Sequence, residues 1–172
     1  TPFALVLMVA GNVNNWAFNT VPQKGLNGRI GYQPRGKGLG GSSAINSMVY
    51  IRGHRTDYDQ WASLGNSGWS FADVLPYFKR AENNADFGGE YHGKGGPLAV
   101  NKLRTQNPVQ QIFLQAAQEA QFRLREDFNA DEHEGLGIYQ VTQKNGERWS
   151  AARAYIHPHI GSRSNLRVEP AA

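Results

Sequence analysis

The chain has 172 residues, 40% of them hydrophobic and 19% charged, with no cysteine. One domain's worth of ordinary apolar content excludes a disordered, collagen-like or disulfide-stapled chain, and the lack of Cys excludes thiolate metal sites and thiol nucleophiles. The net charge of +4 is unevenly placed: residues 1–56 hold six Lys or Arg and no acid, the remainder holds 12 basic and 14 acidic groups, and eight of the 20 glycines lie between Gly25 and Gly53.

The apolar run Phe3 to Ala10 is too short to span a bilayer and lacks a signal peptide's basic flank, so it reads as a buried strand or helix. With no targeting segment in this piece, the expected location is cytoplasmic, and membrane association of a longer parent protein stays open but is not indicated. Residues Asn14 to Arg35, rich in Gly, Pro and Asn, read as extended and turn-punctuated, and a short apolar stretch follows at Ile45 to Ile51. Thr56, with Asp59 three residues on, predicts an N-cap and a short helix ended at Gly65. Ser70 with Asp73 repeats the signal, although Pro76 is expected to break the second helix or start a new one.

Five glycines between Phe87 and Pro97 require a loop. Asn107 and Pro108 open the clearest helix, whose Val109, Ile112, Phe113, Ala116, Ala117 and Ala120 share one face, the pattern of a helix docked on a core. Leu136 to Gln143 reads as a strand, Asn145-Gly146 as a turn, Ser150 to His157 as a helix stopped by Pro158, and Leu166 to Val168 as a last strand. The mixture is α+β. The start at Thr1 and the strand-like stop at Asn165–Ala172 suggest an internal piece of a longer protein.

The run Arg35-Gly-Lys-Gly-Leu-Gly-Gly-Ser-Ser-Ala-Ile-Asn46 carries the chemistry. Glycines allow positive φ and close approach, so successive N–H groups can form an anion-binding concavity, to which serine hydroxyls and basic side chains add donors and charge. A diphosphate suits such a loop. Gly31 to Lys37 almost spells a P-loop, but Gly38 stands where the Mg²⁺-binding hydroxyl is required. Gly36-x-Gly38-x-x-Gly41 matches the dinucleotide fingerprint formally, without the hydrophobic strand that must precede it. A plain surface loop, or a phosphate- or nucleic-acid-binding module using the basic glycine loop, stays open at this level.

The run from Gly36 to Asp59 (GKGLGGSSAINSMVYIRGHRTDYD) resembles the first signature of the glucose-methanol-choline (GMC) oxidoreductases. Asn15 to Phe18, Leu26 to Arg29, Trp69 to Glu82, Tyr91 to Leu98, Asp127 to Asn129, Gly135 to Gln140 and Arg148 to Tyr155 are similar to further family blocks, with the choline and alcohol dehydrogenase branch the nearest in character. The resemblance implies a fragment of an FAD-binding α/β fold with a mostly helical segment and few short strands. Residues 1–56 would be the FAD-contacting segment, 57–148 a helical and loop segment, and 149–172 a helix and strand returning to the FAD-binding domain.

The resemblance further implies that Gly40, Gly41, Ser42 and Ser43 contact the FAD diphosphate region. Asn46, Ser47, Met48 and Val49 would approach the flavin ring, largely through backbone groups. Some relatives tether FAD through a His just before the Asn; Ile45 stands there, so the expected FAD is non-covalent. The implied reaction is oxidation of a primary alcohol or choline, with the electron acceptor left open. The family's catalytic His lies far toward the C-terminus, so no catalytic residue is assigned and the chain alone is expected to be inactive. His54, His92, His133, His157 and His159 match no catalytic position, no metal site is expected, and His92 reads as a turn or packing residue. The acidic cluster Glu126, Asp127, Asp131, Glu132 and Glu134 reads as a solvated loop, since its spacing is wrong for an EF-hand.

Overall fold

The computed structural model describes residues 4–105 and 107–170. The chain forms two compact units, one of residues 1–48 and 147–172 and the other of residues 49–146. In the first unit, helix α1 (Leu5–Ala10) precedes an antiparallel pair, β1 (Phe18–Asn19) and β2 (Tyr32–Gln33), with Phe18 opposite Gln33. Buried Asn15 ties these pieces together: its Nδ2 donates to Met8 O at 3.1 Å and to Tyr32 Oη at 2.7 Å, and its Oδ1 accepts from Ala17 N and Arg35 N. The polar side chain supplies the partners that regular structure would otherwise supply in so irregular a segment. The first apolar run forms the expected helix as far as it is described, Phe3 lying outside the described residues, but Val6 and Leu7 of α1 face solvent instead of being buried.

In the second unit, β3 (Val49–Tyr50) pairs antiparallel with β6 (Gln140–Val141), and β4 (Glu82–Asn84) pairs parallel with β5 (Leu98–Val100). The glycine-rich 85–97 loop joins β4 to β5, long enough to return the chain for a parallel pairing. It lies hard against the end of helix α3 (Phe71–Ala81): a Cβ on Gly93 would sit 1.8 Å from Lys79 O. Helix α2 (Arg55–Ser63) packs on α3 through Tyr58, whose ring lies 5.7 Å from Phe78 and 6.2 Å from Phe71.

Several predicted details change. The N-cap of α2 is His54, not Thr56: its imidazole accepts from Thr56 N while Asp57 reaches back to His54 N. Ser70 and Asp73 form the expected capping box, but α3 runs through Pro76 unbroken. A proline there removes the N–H that would have reached Ala72 O and crowds that carbonyl, and the helix nevertheless continues, with Phe71 and Phe78 on either side of Pro76 packed on the Tyr58 ring. Helix α4 (Pro108–Glu119) has the expected Asn107 and Gln110 box, yet Val109, Ile112 and Phe113 are exposed and only Ala117 of its apolar face is buried.

The predicted strand over 136–143 reduces to β6 and β7 (Gln143–Lys144). Asn145-Gly146 is a turn with φ of +54° and +77°, followed by β8 (Glu147–Arg148). The helix expected after Ser150 is present as a π-helical turn, Ala152–Ile156, and Pro158 sits inside a following 3₁₀ turn instead of ending the helix. Residues 166–168 form no strand, because no described segment pairs with them.

Candidate functional site

The glycine-serine run forms a tight turn leading into a 3₁₀ helix over Gly41–Ala44. Gly38, Gly40 and Gly41 all adopt positive φ, which side chains disfavour, and a Cβ on Gly36 would lie 2.1 Å from Gly41 O. These glycines are therefore demanded by the path of the backbone. No described residue accepts a hydrogen bond from the N–H of Leu39 or Gly40.

The two serines divide their roles. Ser43 donates its hydroxyl to Gly40 O at 2.5 Å and accepts from Ala151 N at 2.9 Å, so it braces the turn against the C-terminal segment of the same unit. Ser42 accepts from Gly36 N at 3.2 Å and is exposed, leaving its hydroxyl proton available to a ligand. Gly40 lies so close to Ala152 that an added Cβ would stand 3.2 Å from its Cβ.

Downstream, Asn46 Oδ1 accepts from Met48 N at 3.0 Å, a local turn that holds Met48 at φ +65°. Arg148 donates to Ser43 O at 3.1 Å and to Asn46 Oδ1 at 2.9 Å. Its partial burial pushes its pKa down from the usual value. Ile45 and Met48 are buried, while Asn46, Ser47 and Val49 are exposed, Val49 standing at the start of the second unit. Neither Arg148 nor Ala151 is visible as part of this turn in the sequence. The only signal was a basic residue in a block similar to the family's.

The turn borders a cleft of about 410 Å³ lined by Val9, Pro34, Arg35, Ser42, Ile45, Asn46 and Ser47. Lys37 lies beside it in sequence, its ammonium 4.5 Å from the Trp16 ring centroid. Open N–H groups, an available hydroxyl and two cations beside a glycine turn suit a phosphate-bearing ligand. Among the described residues no group of three or more His, Cys, Asp or Glu is placed so that it could hold a metal ion, and no described helix is long and apolar enough to cross a membrane.

The second unit contains a buried polar ring. Arg52 pairs with Glu82 at 2.9 Å, Glu82 meets His92 Nδ1 at 3.0 Å, and His92 Nε2 meets Asp127 at 2.7 Å. Burial opposes the charged imidazole, but hydrogen bonds to Asp127 and Glu82 outweigh it and raise the His92 pKa to about 9. Burial likewise opposes both carboxylates. Hydrogen bonds from His92 and from backbone N–H groups, with the Arg52 charge, nevertheless leave Glu82 and Asp127 below their ordinary values. His92 is thus an ion-pair partner and more than a turn residue, and Asp127 leaves the solvated cluster to which its sequence neighbours assigned it.

A GMC oxidoreductase family model matches residues 6–172. Human mitochondrial choline dehydrogenase is 45% identical over 168 residues, covering 98% of this chain and 28% of that protein. Pseudomonas putida alcohol dehydrogenase [acceptor] is 47% identical over 168 residues, covering 97% and 30%. Among solved structures, pyridoxine 4-oxidase from Mesorbium loti superposes with a TM-score of 0.88 at 30% identity, over 96% of this chain and 33% of that one. An FAD-dependent oxidoreductase from Chaetomium thermophilum gives 0.84 at 28% identity, over 99% and 30%. The chain therefore spans under a third of the length of the relatives it matches, and these relatives do not support a nucleic-acid-binding module.

Proposed function

The chain belongs to the GMC oxidoreductase family and carries part of its FAD-binding fold, and from that premise we propose that its parent protein is an FAD-dependent dehydrogenase that oxidises a primary alcohol or choline to the aldehyde. The observation that carries the reading is the positive-φ turn Gly38–Gly41 with the open N–H groups of Leu39 and Gly40. The substrate class rests on the names of the choline and alcohol dehydrogenases to which the chain is similar.

Within this chain, Leu39, Gly40 and Ser42 donate to the FAD diphosphate, and Arg35 and Lys37 supply the compensating charge. Gly41 and Ser43 set the path of that turn, and Asn46, Ser47, Met48 and Val49 lie along the flavin ring. Bound FAD supplies the hydride acceptor, and backbone donors beside it favour the negative charge that reduction brings. Arg148 holds the Ser43 and Asn46 ends of the segment together. Ile45, buried and without a nucleophile, leaves the cofactor non-covalent. No residue of this chain is assigned as the base that takes the hydroxyl proton.

The test is to purify the full-length parent, denature it with acid and assay the supernatant for flavin. Choline and primary alcohols are then assayed with a dye acceptor. Free FAD, alcohol-dependent bleaching of the flavin and no turnover by the isolated chain are the expected results. Flavin that stays with the denatured polypeptide overturns the non-covalent assignment, and failure of every alcohol to reduce bound flavin overturns the reaction.

A further inference from the structure

The buried ring of the second unit begins and ends on one residue. The Arg52 guanidinium pairs with Glu82, while the Arg52 backbone N–H donates to Asn129 Oδ1 at 2.8 Å. Glu82, His92 and Asp127 close the circuit, since Asp127 Oδ1 accepts from Asn129 N at 2.8 Å. Asn129 Nδ2 in turn donates to Tyr50 O at 3.2 Å, so one amide holds the main chain on both sides of Ile51, at the last residue of β3 and just beyond it. Two cations face two carboxylates, and Arg52, Glu82 and His92 are each at least nine-tenths buried.

The ring fixes its own protonation. Asn84 Nδ2 lies 3.1 Å from His92 Nδ1, but its two hydrogens are directed at Glu82 Oε1 (2.9 Å) and Gln140 Oε1 (2.8 Å). Both imidazole nitrogens therefore face carboxylate acceptors, and both donate. A neutral imidazole has one N–H, so losing a proton must break one of the two contacts. If the Asp127 contact breaks, the carboxylate that orients Asn129 is released.

We propose that this ring is a positioning device for β3: His92, donating to both Glu82 and Asp127, sets Asn129, and Asn129 sets the main chain from Tyr50 to Arg52 and with it Val49. The inference rests on the reading above, which puts Val49 beside the flavin. His92 is a positioning residue that acts through Asp127 and Asn129. Its surroundings are complete on every side: Glu82 and Asn84 on β4, Asp127 in the loop before Phe128, Arg52 after β3, and the Phe87 ring 5.5 Å away.

The experiment uses the full-length holoprotein and its His92→Gln variant, which keeps one hydrogen-bonding arm and removes the charge. Amide hydrogen exchange is followed at Arg52 and across α3, and the flavin absorption spectrum is recorded from pH 7 to 10. In the unaltered protein, exchange at Arg52, corrected for intrinsic rate, rises on the order of tenfold through a midpoint near pH 9, while α3 remains far more strongly protected than Arg52 throughout. The flavin spectrum steps with the same midpoint. In His92→Gln, Arg52 exchanges fast at every pH and the spectral step is gone.

Unchanged Arg52 protection in a folded His92→Gln variant overturns the proposal. So does exchange of α3 at the same rate as Arg52, which makes the ring a general stabiliser only. A spectral step that persists in the variant also overturns it. FAD content of the unaltered protein is measured separately and judges the cofactor reading alone, whereas the Arg52 exchange profile judges the ring with or without flavin.

Discussion

Gly36 and Arg148 show how single residues set the cofactor turn from opposite directions. Gly36 is excluded from carrying a side chain by Gly41 O, 2.1 Å from where a Cβ would stand. Gly36→Ala must open the turn, and the expected outcome is at least a several-fold loss of FAD content in the purified parent, read from flavin absorbance against protein. Arg148 contributes two hydrogen bonds, so Arg148→Met is expected to cost about 1–3 kcal/mol of cofactor affinity, roughly a tenfold or greater rise in Kd by flavin fluorescence titration. The glycine was legible in the sequence because positive φ is a property of the local backbone. The arginine was not, since it lies 102 positions from Asn46 and nothing local distinguishes it from a solvated charge.

At the scale of elements, signals that act within one turn were legible and signals that need a partner were not. The boxes Ser70 with Asp73 and Asn107 with Gln110 start α3 and α4 as expected, because each satisfies helix N–H groups three residues away. His54 caps α2 unannounced, its imidazole doing what Ser or Asp usually does. The two-residue strands β3 and β6 join positions 49 and 141, a pairing that no window of sequence contains. Helix α4 is the reverse case, a clear apolar face whose Val109, Ile112 and Phe113 are exposed by 66%, 65% and 60%. Ile112→Gln is therefore expected to leave the melting temperature of this chain within about 1–2 °C, since surface changes stay within ±0.5 kcal/mol. A fall of more than about 5 °C in a thermal melt contradicts the exposure of that face.

For the molecule as a whole, the buried ring makes stability depend on pH with a definite sign. The His92 pKa is raised from 6.5 to about 9, so its contribution is complete below pH 6.5, declines above it and is gone beyond pH 9. The pKa values of Glu82 and Asp127 are lowered from 4.5 and 3.8, so their contributions are complete above those values and vanish as the carboxylates protonate in more acidic solution. Thermal melts are expected to peak between about pH 4.5 and 6.5 and to fall by several degrees toward pH 9. His92→Gln is expected to flatten the alkaline side of that curve, and an unchanged alkaline slope in the variant contradicts the assignment.

What the amino-acid sequence determined by itself was the turn chemistry: the glycines of Gly36–Gly41, two of the three helix caps and the loop between Phe87 and Pro97, each a consequence of backbone preferences over a few residues. The tertiary structure decided which charges are buried. Arg52 finds Glu82 at a separation of 30 residues and Asn129 at 77, and His92 finds Asp127 at 35. A buried charge is tolerated only where an opposite charge or a hydrogen bond meets it. That complementarity exists only once distant segments have been brought together, which is why a histidine in a glycine loop and an aspartate in an acidic cluster became partners.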